Sequence, residues 1–225
     1  MCGLFGFITR DGSGPNLARL RRIAVETQQR GRHAFGLAWL DSAGEIKVFK
    51  RPGAASEQLE DLERCRNARI VIGHCRYATH GDPQDNRNNH PHPAGNGFIA
   101  HNGVIRNFKQ LIANQKLTPR TECDSEILGL LIAKNAGSLV ARASRAVEMA
   151  DGPLAMLGLW RGPNRLVIIR RGNPLHFGMT GDGFYFGSLS GELPGNVFRA
   201  TDENISVLTL GKDQLQLQSR KIGAH

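Results

Sequence analysis

From residue 152 onward the chain reads as one strand after another, and this pattern limits the folds available to it. Short apolar segments alternate there with glycine, proline and asparagine, which favour turns. The segments are LAMLGLW, RLVIIRR, PLHFGM, FYFGSL, NVFRAT and ISVLTL. This succession predicts a sheet-rich second half rather than a helical bundle.

The first half of the chain combines strands with helices. The predicted strands are 2–9, 35–41, 45–51, 69–77 and 98–103, and the predicted helices are 16–29, 54–66, 107–115, 124–135 and 138–150. Strands on both sides of a helical middle predict an α+β fold, with stacked sheets whose outer faces the helices cover. Segment 80–97 is dense in Gly, Pro, Asn and Asp, and so predicts a long loop of functional importance.

No linker, repeat or low-complexity stretch divides the sequence. A chain of 225 residues supports one sizeable hydrophobic core, so we expect a single domain over residues 2–225. No apolar run reaches membrane-spanning length, and the amino terminus lacks the pattern of a secretory signal. We therefore expect no membrane association and a cytoplasmic location.

The chain is strongly basic. Lysine and arginine number 29 against 20 acidic residues, which gives a formal charge of +9. Such an excess is compatible with a nucleic-acid, acidic-protein or anionic partner. A nucleic-acid partner is not favoured, because the arginines are scattered and lack interleaved aromatic residues.

The cysteines and histidines favour free thiols over a metal or disulfide framework. The four cysteines have neither a CxxC pair nor regular spacing. Five of the eight histidines lie between His74 and His101, but not at the helical or knuckle spacings of common metal sites. The expectation is therefore no metal and no cofactor.

Several short motifs lie at the ends of predicted elements, where a rigid scaffold presents functional groups. They are RG at 30–31, GHCRYATHG at 73–81, HNG at 101–103 and ECDSE at 122–126. Each has an ordinary structural interpretation when taken alone. Asn-Gly is a frequent turn pair, for example, and Asp or Ser commonly caps a helix.

Together with Cys2, these motifs resemble those of the class II glutamine amidotransferases. The matching set is CGLFG at the start, RG, GHCRYATHG, NNHPH, HNGVIRN and CDSE, in the same order over residues 2 to about 135. The resemblance is strongest to the glutaminase domain of glucosamine-6-phosphate synthase. It implies the four-layer αββα sandwich of amino-terminal-nucleophile hydrolases, with two stacked, mainly antiparallel sheets covered by helices.

The resemblance implies that Cys2 is the nucleophile that liberates ammonia from glutamine. Removal of Met1 would place a free α-amine on Cys2 itself, beside the thiol that it activates as a base. The thiolate would attack the side-chain amide and form a γ-glutamyl thioester, which water hydrolyses. Gly3 is expected to leave room beside the nucleophile for the substrate.

The remaining roles also follow from the resemblance. Asn102 and the backbone N–H of Gly103 would form the oxyanion hole, with Gly103 also contacting substrate. Arg76 would bind the α-carboxylate of glutamine as a bidentate guanidinium, and Asp124 its α-ammonium. Further residues would close over the substrate or support the site: Thr79 and His80 in the closing loop, and Arg30, Gly31 and Tyr77 around the nucleophile.

Two residues depart from the glucosamine-6-phosphate synthase type, although neither removes a group that the chemistry needs. Tyr77 stands in place of a tryptophan, and Cys123 in place of a threonine. Members of the family usually join this domain to a synthase, and no such module follows in the sequence. The first expectation is therefore a stand-alone glutaminase that supplies ammonia to a separate synthase in trans. The alternatives are an amidohydrolase of γ-glutamyl compounds and a non-catalytic basic binding module.

Overall fold

The predicted strands and α-helices occur in the expected order, except that segment 54–66 is not an α-helix. The computed structural model describes residues 1–211 and 214–223, so positions 212, 213, 224 and 225 of the expected domain lie outside the described residues. The strands are β1 Gly3–Thr9, β2 Ala34–Leu40, β3 Ile46–Pro52, β4 Ile70–Arg76, β5 His92–Pro93, β6 Gly97–Gly103, β7 Leu154–Trp160, β8 Arg165–Arg171, β9 His176–Met179, β10 Gly183–Gly187, β11 Val197–Arg199, β12 Asn204–Leu210 and β13 Leu215–Lys221. The α-helices are α1 Leu17–Thr27, α2 Phe108–Gln115, α3 Glu126–Lys134 and α4 Leu139–Met149.

The strands form two sheets in which the named strands pair antiparallel. The first sheet has the order β11-β9-β10-β1-β4-β2-β3, and the second has the order β13-β12-β8-β7-β6-β5. The strands expected from the sequence are present. Two strands were not predicted. The two-residue strand β5 lies within segment 80–97, which was expected to be loop, and β13, with the sequence LQLQSRK, is largely polar and exposed at a sheet edge.

The central strands are buried on both faces, which explains their nearly continuous apolar sequences. In β1, Leu4 and Ile8 point into the core between the two sheets. The alternate residues Phe5 and Phe7 join the core beneath α1. Successive side chains of β1 point to opposite faces, so the strand contributes to two separate cores. The predicted αββα layering is confirmed.

The other outer layer covers the second sheet. Helix α3 has the sequence EILGLLIAK and is apolar around most of its circumference, because it shares one core with α4 and the sheet. Helix α4 begins after Ser138, whose side chain accepts a hydrogen bond from the Ala141 backbone N–H. No helix in the described part of the chain is long and apolar enough to cross a membrane.

The segment predicted as an amphipathic helix over 54–66 is not an α-helix. It forms two 3₁₀ segments, Ala55–Glu57 and Leu59–Cys65, separated at Gln58. The apolar residues Leu59, Leu62 and Cys65 recur every three positions and face the core. A spacing of three matches the 3.0 residues per turn of a 3₁₀ helix better than the 3.6 of an α-helix.

Candidate active site

Cys2 lies immediately before β1, beside the residues that leave β4. The two strands pair antiparallel with Gly3 opposite Cys75, so the start of one meets the end of the other. The Tyr77 backbone N–H donates a hydrogen bond to Cys2 Sγ over 3.2 Å, and the thiol donates to the Tyr77 carbonyl oxygen over 3.2 Å. Strand register therefore holds the thiol in place.

The environment of Cys2 favours the neutral thiol. Burial raises the pKa of the Cys2 thiol above its usual value, and the hydrogen bond from the Tyr77 backbone offsets part of this shift. The positive charge of Arg76 lowers the same pKa and the negative charge of Asp124 raises it, so both groups lie within electrostatic reach of the sulfur. A thiol of this kind needs a base before it can act as a nucleophile.

Arg30 and Gly31 contact the two backbones that frame Cys2. Arg30 Nε donates a 2.7 Å hydrogen bond to the Cys2 carbonyl oxygen. Gly31 packs so closely on the end of β4 that an added Cβ would lie 2.5 Å from both Arg76 C and Tyr77 N. Only glycine fits this approach, which explains the RG pair at the end of the first helix.

Gly3 has a different role from the one predicted. A Cβ at this position would lie 2.4 Å from Thr27 Cγ2 and 2.7 Å from the Thr27 carbonyl oxygen. The space beside Gly3 is therefore filled by α1, not kept for a substrate. The glycine allows the helix to pack against the start of β1.

Asn102 and Gly103 end β6 in the second sheet. Asn102 is buried, and its Nδ2 donates a 2.9 Å hydrogen bond to Ser188 Oγ. Gly103 has a φ of 141°, and a Cβ there would lie 2.4 Å from the Pro153 carbonyl oxygen. The glycine is therefore required both by its conformation and by a close backbone approach.

A cleft of about 370 Å³ joins these residues from the two sheets. Predicted site residues in its lining are Cys2, Arg30, Tyr77, Thr79, Asn102 and Gly103. Met1, Val104, Arg106, Pro153 and Asn173 complete the lining. The structure thus gathers six predicted residues around one concave surface, with a thiol on one side and backbone and side-chain amides on the other.

Four predicted residues do not line this cleft: Gly31, which packs behind it, and Arg76, His80 and Asp124. Arg76 is buried and donates to the carbonyl oxygens of His80 and Gly81, the latter over 3.0 Å, and to Asn89 Oδ1 over 2.8 Å. Asp124 Oδ2 accepts a 2.7 Å hydrogen bond from the Ile105 backbone N–H. Asp124 Oδ1 lies 3.8 Å from His80 Nδ1. Arg76, His80 and Asp124 thus form a polar cluster, separate from the cleft lining, at the loop that follows β4.

Ser188 is a site residue that the sequence did not reveal. Its Oγ accepts hydrogen bonds from the Leu4 backbone N–H and from Asn102 Nδ2, each over 2.9 Å. The side chain thereby ties the start of β1 to the end of β6. Ser188 lies far from both partners in the sequence and belongs to no motif, so only the tertiary fold identifies it.

Among the described residues, one group has potential metal-ligating atoms close together. It consists of His90, His92 and Cys123. None of the three lines the cleft that contains Cys2.

Sequence comparison finds relatives that match most of this chain, although no family model matches it. Glutamine–fructose-6-phosphate aminotransferase [isomerizing] of Chlorobaculum tepidum is 38% identical over 205 residues, covering 83% of the chain and 32% of the relative. The protein of the same name from Aquifex aeolicus is 34% identical over 204 residues, covering 86% of the chain and 33% of the relative. The chain thus spans about a third of the length of these curated relatives.

Solved structures share the fold at low sequence identity. The glutamine phosphoribosylpyrophosphate amidotransferase of B. subtilis superposes with a TM-score of 0.80 at 22% identity, over 100% of this chain and 50% of that one. A glutamine aminotransferase class-II domain protein of Silicibacter pomeroyi gives a TM-score of 0.63 at 16% identity, over 99% and 100% of the two chains. Sequence relatives and fold agree: the chain belongs to the class II glutamine amidotransferases, which are enzymes of the amino-terminal-nucleophile type.

Proposed function

We propose that the chain hydrolyses the side-chain amide of glutamine to glutamate and ammonia, with Cys2 as the nucleophile. The main observation is the single cleft that joins the Cys2 thiol to Asn102 and Gly103. A thiol facing potential oxyanion donors is the arrangement that acyl transfer requires. The names of the relatives, which contain glutamine as a donor, support this choice of amide.

The base in this mechanism is the α-amine of Cys2, exposed once Met1 is removed. Burial keeps the pKa of the thiol high, so a neighbouring base must take its proton. An α-amine on the same residue lies within reach and is partly unprotonated near neutral pH. The bond from Arg30 Nε to the Cys2 carbonyl fixes the orientation of this residue.

The oxyanion forms beside Asn102 and Gly103. The Asn102 amide has two N–H donors: one binds Ser188 Oγ, and in this proposal the other donates to the developing charge. The Gly103 backbone N–H supplies the second contact. Fixed donors of this kind stabilise the tetrahedral intermediate without reorganising during the reaction.

Arg76 and Asp124 recognise the amino-acid end of glutamine in this proposal. In the structure, Arg76 donates to the carbonyl oxygens of His80 and Gly81. When glutamine binds, its negatively charged α-carboxylate replaces these carbonyl oxygens as the hydrogen-bond acceptor of Arg76. The buried Asp124 pairs with the α-ammonium. Movement of the loop that contains Thr79 and His80 accompanies the exchange and covers the substrate, with Tyr77 at its base.

The proposed reaction consists of two successive acyl transfers, first to Cys2 and then to water. A bond forms between Cys2 Sγ and the amide carbon, and the C–N bond breaks as the α-ammonium returns a proton to the departing ammonia. Water then attacks the thioester while the α-amine accepts its proton. Cleavage of the C–S bond releases glutamate and restores the thiol.

We also propose that the ammonia passes to a synthase. The relatives are about three times as long as the part that this chain matches. Their additional length supports a separate centre at which ammonia is used. A synthase in trans remains our expectation for this chain. The charge of +9 offers a basic surface for such a partner, whereas nucleic acid is not favoured.

Glutamine turnover by protein that begins at Cys2 tests the function directly. We expect release of glutamate and ammonia, and modification of Cys2 by an electrophilic glutamine analogue, mapped by mass spectrometry. The buried cysteines Cys65, Cys75 and Cys123 serve as internal controls and should stay unmodified. Absence of both turnover and labelling, alone and with candidate synthases, would contradict the proposal. Full activity on γ-glutamyl peptides, with little on glutamine, would favour the amidohydrolase alternative.

The bond between Ser188 and Asn102 gives a second prediction. Asn102→Ala should lower kcat by roughly 10²–10³-fold, as expected for loss of one oxyanion donor. Ser188→Ala keeps that donor but removes its anchor, so we expect a smaller loss of about tenfold in kcat with KM unchanged. Steady-state kinetics distinguish the two. Ser188→Thr retains the hydroxyl and should recover most of the loss; an unchanged kcat in Ser188→Ala would show that the anchor is dispensable.

A further inference from the structure

Three buried side chains with metal-ligating atoms meet near the start of α3. They are His90 and His92, from the end of the long loop, and Cys123. One ligand atom from each lies within 4.8 Å of the other two. His90 is 3% exposed, His92 is fully buried and Cys123 is 5% exposed. The sequence alone does not predict this group, because Cys123 is brought to the histidines only by the fold.

The two histidines have unsatisfied nitrogens. Neither Nδ1 nor Nε2 of His90 or of His92 has a hydrogen-bond partner among the described residues. The His90 ring packs against the His74 ring at a centroid distance of 3.9 Å and against the His92 ring at 4.6 Å, but these contacts do not satisfy an N–H group. Buried polar atoms are rarely left without partners, and four in two adjacent rings call for an explanation.

We propose that His90, His92 and Cys123 bind a zinc-class divalent cation. Imidazole nitrogen and thiolate sulfur are the ligands that Zn²⁺ prefers, whereas Mg²⁺ and Ca²⁺ prefer oxygen. Zinc–ligand bonds of about 2.0–2.3 Å draw tetrahedral ligands to within roughly 3.3–3.8 Å of each other. The three atoms thus need to approach by about an ångström, and a water completes the tetrahedron.

The three side chains offer electron pairs to a cation, and the charges around them are of both signs. Both rings are buried, which disfavours the charged form, and a neutral imidazole has one ring nitrogen with a lone pair for a cation. On binding, Cys123 loses its proton to solvent and forms an S–Zn bond. Lys50 and Arg76 contribute positive charge near the cluster. The new thiolate and the carboxylate of Asp124 oppose it.

The site would connect two segments that the proposed reaction uses. His90 and His92 end the loop that includes Thr79 and His80, and Cys123 directly precedes Asp124. A metal bound to all three fixes the end of the loop against the start of α3. We therefore expect the bound ion to raise Tm and to protect the loop from proteolysis.

Metal titration in a Cys2→Ala background tests the proposal. This background removes the one cysteine that is only partly buried, and it makes the result independent of whether the chain hydrolyses glutamine. Tag-free, metal-free protein is titrated with Co²⁺ and then Zn²⁺. We expect one ion per chain, a thiolate-to-Co²⁺ charge-transfer band, and displacement of Co²⁺ by Zn²⁺.

Matched cysteine variants identify the ligand. Cys123→Ala should lose the charge-transfer band and weaken metal binding by at least about tenfold. Removal of a residue that merely supports a metal ligand already costs about 10–100-fold in affinity. Cys65→Ala removes a buried thiol from the core beneath the first sheet and should bind as the parent does. Cys123→Ser, nearly the same size as the parent, provides the measurement if Cys123→Ala fails to fold.

Three results would overturn the proposal. The first is no stoichiometric binding of Co²⁺ or Zn²⁺ to folded protein, and the second is a Co²⁺ complex without a thiolate band. The third is equal affinity in the parent and in a folded Cys123 variant. Circular dichroism in the near ultraviolet establishes which variants are folded.

Discussion

Cys2→Ala protein is expected to lose glutamine hydrolysis by roughly 10⁴–10⁶-fold, the range for removing a covalent nucleophile. The fold should survive, because Cys2 precedes β1 and its backbone contact with Arg30 does not involve the thiol. The free energy of unfolding should fall by only about 1 kcal/mol, since the substitution removes the hydrogen bonds between the thiol and the Tyr77 backbone. Stopped assays of glutamate release, with urea unfolding followed by circular dichroism, measure the two quantities separately.

Cys65→Ala is the matched control for this substitution. Cys65 is fully buried beneath the first sheet, so its loss should leave turnover unchanged and lower stability by about 1 kcal/mol. Wild-type turnover in Cys2→Ala would require another nucleophile. Cys123 and Cys75 are unsuited to this role, because burial raises the pKa of the Cys123 thiol to about 11 and that of Cys75 further.

Retention of Met1 should lower activity by about 10²–10⁴-fold, the usual contribution of a general base. Two effects combine: the α-nitrogen of Cys2 becomes an amide without basicity, and Met1 occupies part of the cleft lining. The Met1 thioether sulfur lies 3.8 Å from Arg30 Nη2, directly beside the nucleophile. Two products of a cleavable fusion, one starting at Met1 and one at Cys2, provide the comparison.

The pH profile separates loss of the base from blockage of the cleft. In the protein that starts at Cys2, the base must be unprotonated, so kcat/KM should increase with pH. A base with the ordinary α-amine pKa of about 7.7–8.0 predicts a rise of about tenfold per unit below pH 7 and a plateau above about pH 9. A flat profile, or equal rates for the two products, would contradict activation by the α-amine.

Much of the fold was predictable because the central strands are buried on both faces. Their nearly continuous apolar sequences stand out from the polar, glycine-rich turns, as LAMLGLW and RLVIIRR show. The predictions failed where burial is partial. β13 is polar and exposed at an edge, and the 54–66 segment has a spacing of three that suits a 3₁₀ helix.

The candidate site was predictable only where its residues belong to short motifs. Cys2, Asn102 and Gly103 were identified in this way, and the cleft brings them together. Ser188 acts through contacts between distant segments, so no local pattern reveals it. Gly3 was misread for the same reason, since the side chain that fills its space comes from Thr27 of α1.

The cleft is divided between the two sheets, with Cys2 before β1 of the first and Asn102 on β6 of the second. Neither sheet alone contains a working set of groups. During refolding, each sheet can form its hydrogen bonds before the two dock, but catalysis must wait for docking. During synthesis the contact forms late relative to its partners, because Ser188 joins Leu4 to Asn102 only after residue 188 has been added. Recovered activity would therefore report that the two sheets have docked, and not merely that each sheet has formed.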